Sequence, residues 1–69
     1  MDIKKAVQQV LLGHDLKIDE MRKVMTQIMS GKATDAQIGG FLVGLRIKGE
    51  TVDEIIGAAQ IMRELSLTL

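Results

Sequence analysis

The residues that could do chemistry are few: one histidine, His14, with Asp15 beside it; two acidic doublets, Asp19-Glu20 and Asp53-Glu54; a glycine pair, Gly39-Gly40; and five methionines. A histidine oriented by a carboxylate can serve as a general base. His14, however, directly follows a helical pattern closed by Gly13, where the helix dipole favours an imidazolium, and no nucleophile is tied to it by spacing. Paired carboxylates can share a proton or hold a cation. Both doublets fall in the first turns of expected helices, where acidic side chains satisfy free N–H groups, and capping accounts for them. Gly39-Gly40 belongs to neither G-x-G-x-x-G nor G-x-x-x-x-G-K-[ST], and it sits inside a helical pattern instead of after a strand, so packing is its expected role. Met21, Met25, Met29 and Met62 fall on expected inner faces and read as core filler in preference to a binding groove. Lys4, Lys5, Arg22, Lys23, Arg46 and Lys48 are dispersed and matched by acids, as on a solvated surface. No nucleophile, base and oxyanion donor converge, so no catalytic, cofactor-binding or metal-binding residue is expected in this chain.

Composition narrows the classes further. Nine basic and nine acidic residues leave a formal net charge of zero with His14 neutral, which lacks the basic stripe that grips nucleic acid and the polybasic cluster that holds a membrane surface. The single aromatic, Phe41, offers no stacking platform for bases. With no cysteine and one histidine, disulfides and thiolate-held metals are excluded and a zinc site is not expected. No apolar run approaches the ~20 residues of a membrane span and no signal-peptide core is present. The expected class is a soluble, cytoplasmic domain, rich in apolar residues for its length of 69.

The elements follow from periodicity and caps. Four helices are expected, at about 2–12, 18–30, 35–48 and 52–65, in one domain spanning 1–69. Asp2 and Gly13 bracket the first, whose apolar face is Ile3, Val7, Val10 and Leu11. Leu16 is expected to dip into the core from the connection. The second places Ile18, Met21, Val24, Met25, Ile28 and Met29 inward and ends before Gly31. Thr34-Asp35-Ala36-Gln37 reads as a capping box for the third helix, and Thr51-Val52-Asp53-Glu54 repeats the device for the fourth. The inner face of the fourth is then Val52, Ile55, Ile56, Ala59 and Met62, with Ala58, Ile61 and Leu65 extending it. No period-two alternation is bounded by turn residues, so strands are not expected. The fold class is all-α: a small bundle of four short antiparallel helices.

The third helix departs from the amphipathic norm. Ile38, Phe41, Leu42, Val43, Leu45 and Ile47 surround it almost completely, and three neighbours cannot cover such a helix in a chain this short. Gly39, Gly40 and Gly44 cost roughly 1 kcal/mol each against alanine inside a helix, which close approach of another backbone would offset. Surplus apolar surface of this kind marks an interface or an absent domain. Val7, Leu42 and Leu45 are the residues expected to serve self-association.

One stretch is more specific than its physics requires. It runs from Met29-Ser30-Gly31 through Ala33-Thr34-Asp35-Ala36-Gln37-Ile38, then Leu45-Arg46-Ile47-Lys48-Gly49-Glu50-Thr51 and Glu54-Ile55. It resembles the N-terminal helical domain of the anthranilate phosphoribosyltransferase family, with its M-x-G, A-T-x-x-Q-I, L-R-x-K-G-E-T and E-I pattern. Gly13-His14-Asp15-Leu16 and the run from Ala58 to Arg63 also fit, so nearly the whole chain is covered. Lys17 departs from the Ser or Thr that the family prefers as a cap, and Gly39-Gly40 stands where alanine is commoner.

The resemblance implies a parent enzyme that transfers the ribosyl phosphate of phosphoribosyl pyrophosphate to the amine of anthranilate, with magnesium, in tryptophan biosynthesis. It implies that the diphosphate motif, metal carboxylates and anthranilate pocket lie in a following α/β domain, and that the helical domain forms a homodimer and caps the cleft. The ending Ser66-Leu67-Thr68-Leu69, without Gly, Pro or a polar tail, is expected to lead into the hinge of the larger protein. Thymidine and pyrimidine-nucleoside phosphorylases share the bundle in diverged form but typically lack R-x-K-G-E-T, and rank second. A free-standing interaction module is a third reading. A helix-turn-helix DNA binder is disfavoured by neutral charge and by a third helix too apolar to read base edges.

Overall fold

The computed structural model describes residues 1–66, and the expectation about the chain end therefore lies, for Leu67 to Leu69, outside the described residues. Four helices follow one another: α1 (Ile3–Leu11), α2 (Ile18–Met29), α3 (Asp35–Lys48) and α4 (Val52–Ser66), with no strand among the described residues. Local chemistry sets their ends. Asp2 Oδ1 accepts the Lys5 N–H at 2.9 Å. After α1 and again after α2 a glycine takes a positive φ, Gly13 at 79° and Gly31 at 77°. The next amide then reaches back across the turn, His14 N–H to Gln9 O and Lys32 N–H to Gln27 O, both at 2.9 Å, which closes the helix as a Schellman motif. The Thr34 box forms as expected: Thr34 Oγ1 accepts Gln37 N–H at 3.1 Å and Gln37 Oε1 accepts Thr34 N–H at 2.9 Å. At Lys17, whose ammonium can only donate, half a box remains, with Glu20 Oε1 accepting the Lys17 N–H at 2.9 Å.

Packing pairs alternate helices. α1 lies against α3 and α2 against α4, with a smaller α1–α2 contact. The core gathers Ile3, Ala6 and Val10 of α1, Leu16 of the connection, Met21 and Val24 of α2, and Phe41 and Leu45 of α3. Gln27 of α2 ties down the start of α1, its Oε1 accepting the Ile3 N–H and its Nε2 donating to Met1 O, each at 2.9 Å.

Several burial expectations are corrected. The expected inner face of α4 is its outer one: Val52, Ile55, Ile56, Ala59 and Met62 are exposed, and α4 turns Glu54, Gly57 and Ile61 inward. The physical reason lies in the polar network around Glu54 described below. Leu11 and Met29 are also exposed, so of the four methionines read as filler Met21 is buried and Met25 partly so. Close approach occurs at one of the three α3 glycines. A Cβ on Gly44 would lie 2.5 Å from Val10 Cγ2, whereas nothing stands within 4 Å of one on Gly39. The neighbour at Gly44 is a side chain, not the backbone expected.

Candidate functional site

Polar groups converge where the α1–α2 connection meets the α3–α4 connection. Glu54, in the first turn of α4, has 0% of its surface exposed. Its Oε1 accepts the Thr51 N–H at 2.8 Å, completing the second capping box, in which Thr51 Oγ1 accepts the Glu54 N–H at 3.1 Å. The same Oε1 accepts Lys48 Nζ at 2.8 Å, and Oε2 accepts the Leu16 N–H at 2.7 Å. Lys48 is not the solvated cation expected: its side chain is 4% exposed. Its Nζ donates also to Asp15 Oδ1 and to Gly49 O, both at 2.9 Å.

Electrostatics follow from this geometry. Burial pushes the Glu54 carboxyl up, but the Leu16 N–H, the Lys48 ammonium and the Thr51 N–H together outweigh it and hold the group below its ordinary value. Burial likewise pushes Lys48 down, and its bonds to Glu54 and Asp15 leave it above the ordinary lysine value. Each Glu54 oxygen is engaged, so the network ties elements together and presents no free base.

The remaining candidates resolve in the same way. His14 Nδ1 meets Gln9 Oε1 at 3.0 Å on the surface, while Asp15 turns to Lys48, so the sequence neighbours do not form an oriented pair. Among the described residues no three histidine, aspartate or glutamate side chains converge as metal ligands. An open cleft of about 760 Å³ runs beside α2 past Asp19, Arg22, Lys23 and Thr26. Arg22 is already engaged there, donating to Gln60 at 2.7 Å and to both Glu64 oxygens at 2.8 and 3.1 Å. That hydrogen-bonded pair raises Arg22 and lowers Glu64 from their ordinary values.

Residues 4–66 match the model of the glycosyl transferase family, helical bundle domain. The chain belongs to that family. The helical bundle domain is 65% identical over 66 residues to the anthranilate phosphoribosyltransferase of Marinomonas sp. (strain MWYL1), a match covering 96% of this chain and 19% of that protein. It is 61% identical over 66 residues to that of Teredinibacter turnerae, with the same coverage. With that of Ruthia magnifica it shares 62% over 65 residues, covering 94% of this chain and 19% of the relative. The bundle thus spans about a fifth of the length of these relatives.

On this helical bundle domain the three residues singled out for association part company. Leu42 is exposed, Val7 is half-buried against the core, and Leu45 is a core residue at 4% exposure, which corrects its expected place on the surface. Val43 and Ile47 of α3 are exposed as well, the latter to 78%. What sequence reasoning missed is the Lys48–Glu54–Asp15 network. Its local half was visible in the Thr51 box; its bond to Leu16 joins residues 38 apart and leaves no periodic trace.

Proposed function

We propose that this bundle is the dimerisation and cap domain of an anthranilate phosphoribosyltransferase. The intact enzyme would transfer phosphoribosyl from phosphoribosyl pyrophosphate to anthranilate in the cytoplasm. The observation that carries the reading is the apolar surface on α3 and α4, Leu42, Val43, Ile47, Val52, Ile55 and Ile56, in a chain with such relatives at 65% identity over 19% of their length. A domain that leaves this many large aliphatic side chains in water is suited to covering by another protein surface.

The reading assigns the chemistry, with its magnesium, to an α/β domain outside these residues. Three of the carboxylates are already engaged within the bundle: Glu54 holds three donors, Asp15 holds Lys48, and Glu20 holds the Lys17 N–H. The partners are a second copy and that α/β domain.

Light scattering on the 69-residue chain over a wide concentration range tests the reading. A helical dimer of about 15 kDa, twice the 7.6 kDa chain, supports the assembly role. A helical monomer that also fails to bind the uncovered remainder of the Marinomonas relative would overturn both roles. Phosphoribosyl transfer by the isolated chain would overturn the placement of the chemistry elsewhere.

A further inference from the structure

We propose that the Lys48–Glu54 network and the notch at Gly57 set the rotation of α4 about its own axis, selecting the register that leaves its apolar stripe on the surface over a second folded register that would bury it. α4 carries two rival faces. One is Glu54, Gly57, Ala58 and Ile61, which is buried or half-buried; the other is Val52, Ile55, Ile56, Ala59 and Met62, which is exposed. At about 100° per residue the centres of the two faces lie roughly 145° apart. A turn of α4 by roughly one and a half residue steps therefore brings the rival face inward.

Removal of apolar area from water favours the rival face, which carries four large aliphatic side chains against one. Two features oppose that turn. Rotation would carry the Glu54 carboxylate away from the Leu16 N–H at 2.7 Å and Lys48 Nζ at 2.8 Å, leaving a buried donor and an ammonium without it. Gly57 provides the steric half: a Cβ there would lie 2.9 Å from Ile18 O and 3.0 Å from Met21 Cβ, so α4 approaches α2 this closely only with glycine at the contact. Both features discriminate by geometry, in the way a single buried polar residue fixes the register of a coiled coil.

The test uses the methionine methyls of the 69-residue chain, labelled with carbon-13 and exposed to a soluble paramagnetic agent, with every sample diluted until light scattering gives the 7.6 kDa monomer. In the unaltered chain the Met62 methyl should broaden strongly and the Met21 methyl weakly. In K48L/E54A/G57A, and in E54A/G57A where Lys48 keeps Asp15, the helical circular dichroism should persist while Met62 becomes several-fold better protected. A helical variant with Met62 as accessible as before would overturn the proposal. Loss of helix in both variants would also overturn it, because a register lock, unlike a stability element, can be removed from a chain that has a second face to bury.

Discussion

Removing water from the Glu54 carboxylate costs several kcal/mol, and in this bundle two backbone amides and an ammonium offset that loss. Because its folded-state affinity for protons is depressed, Glu54 adds stability above the ordinary glutamate range, and that contribution disappears as pH falls through the depressed value. Lys48 is shifted up, so its contribution is complete below the ordinary lysine range and is lost as pH rises through the raised value. Urea midpoints should therefore be flat between about pH 6 and 9 and fall on both sides. In Glu54→Gln the acid limb should become shallower, and an unchanged limb would show that other carboxylates govern it. The Arg22–Glu64 pair, half in solvent, should by contrast respond to added salt. Gln27 gives a second residue-scale prediction. Gln27→Ala frees the Ile3 N–H and the Met1 carbonyl, and should cost about 1–2 kcal/mol in urea melts. A single core of this size supplies only about 3–5 kcal/mol in all, so a shift that large is easily read.

Helix ends were legible because their signals are local. Asp2, Thr34, Gly13 and Gly31 each act on amides within a few residues, and the expected boundaries stand within a residue or two. Helix faces were legible only where one apolar stripe exists. α2 buries Met21 and Val24 as its repeat requires, whereas α4 turns away from its most apolar stripe toward a carboxylate, a glycine and Ile61. Periodicity weighs transfer from water and is blind to a hydrogen bond arriving from Leu16. The glycines divide on the same ground, since their composition looks alike and their surroundings do not. Gly57→Ala forces a Cβ against the Ile18 carbonyl and Met21, and should destabilise by about 1–3 kcal/mol. Gly39→Ala meets nothing within 4 Å and should stabilise the isolated chain by about 0.5–1 kcal/mol in thermal melts. If Gly39→Ala instead weakens only an associated form, the open space beside it belongs to a partner.

The candidate surface is a property of the whole bundle, since α3 and α4 cannot both be covered by α1 and α2. Leu42→Glu should keep the helical circular dichroism and weaken self-association by about tenfold or more in light scattering, as loss of a central apolar contact does. Leu45→Glu, four-hundredths exposed in the core, should unfold the chain. Equal association in the folded Leu42 variant would remove that residue from the surface in question. The pairing of alternate helices has a further bearing, on the order of events during synthesis. α1 meets α3 and α2 meets α4, so none of the three neighbouring pairs is a self-sufficient hairpin. At translation rates of about 5–20 residues per second, α1 waits on the order of a few seconds for its partner to emerge. Loop closure across intervening helices slows folding relative to bundles with neighbour-to-neighbour contacts. The first half of this chain therefore leaves the ribosome with its Ile3, Ala6 and Val10 side uncovered, and nascent-chain protease resistance should arise in one step after α4 has cleared the exit tunnel.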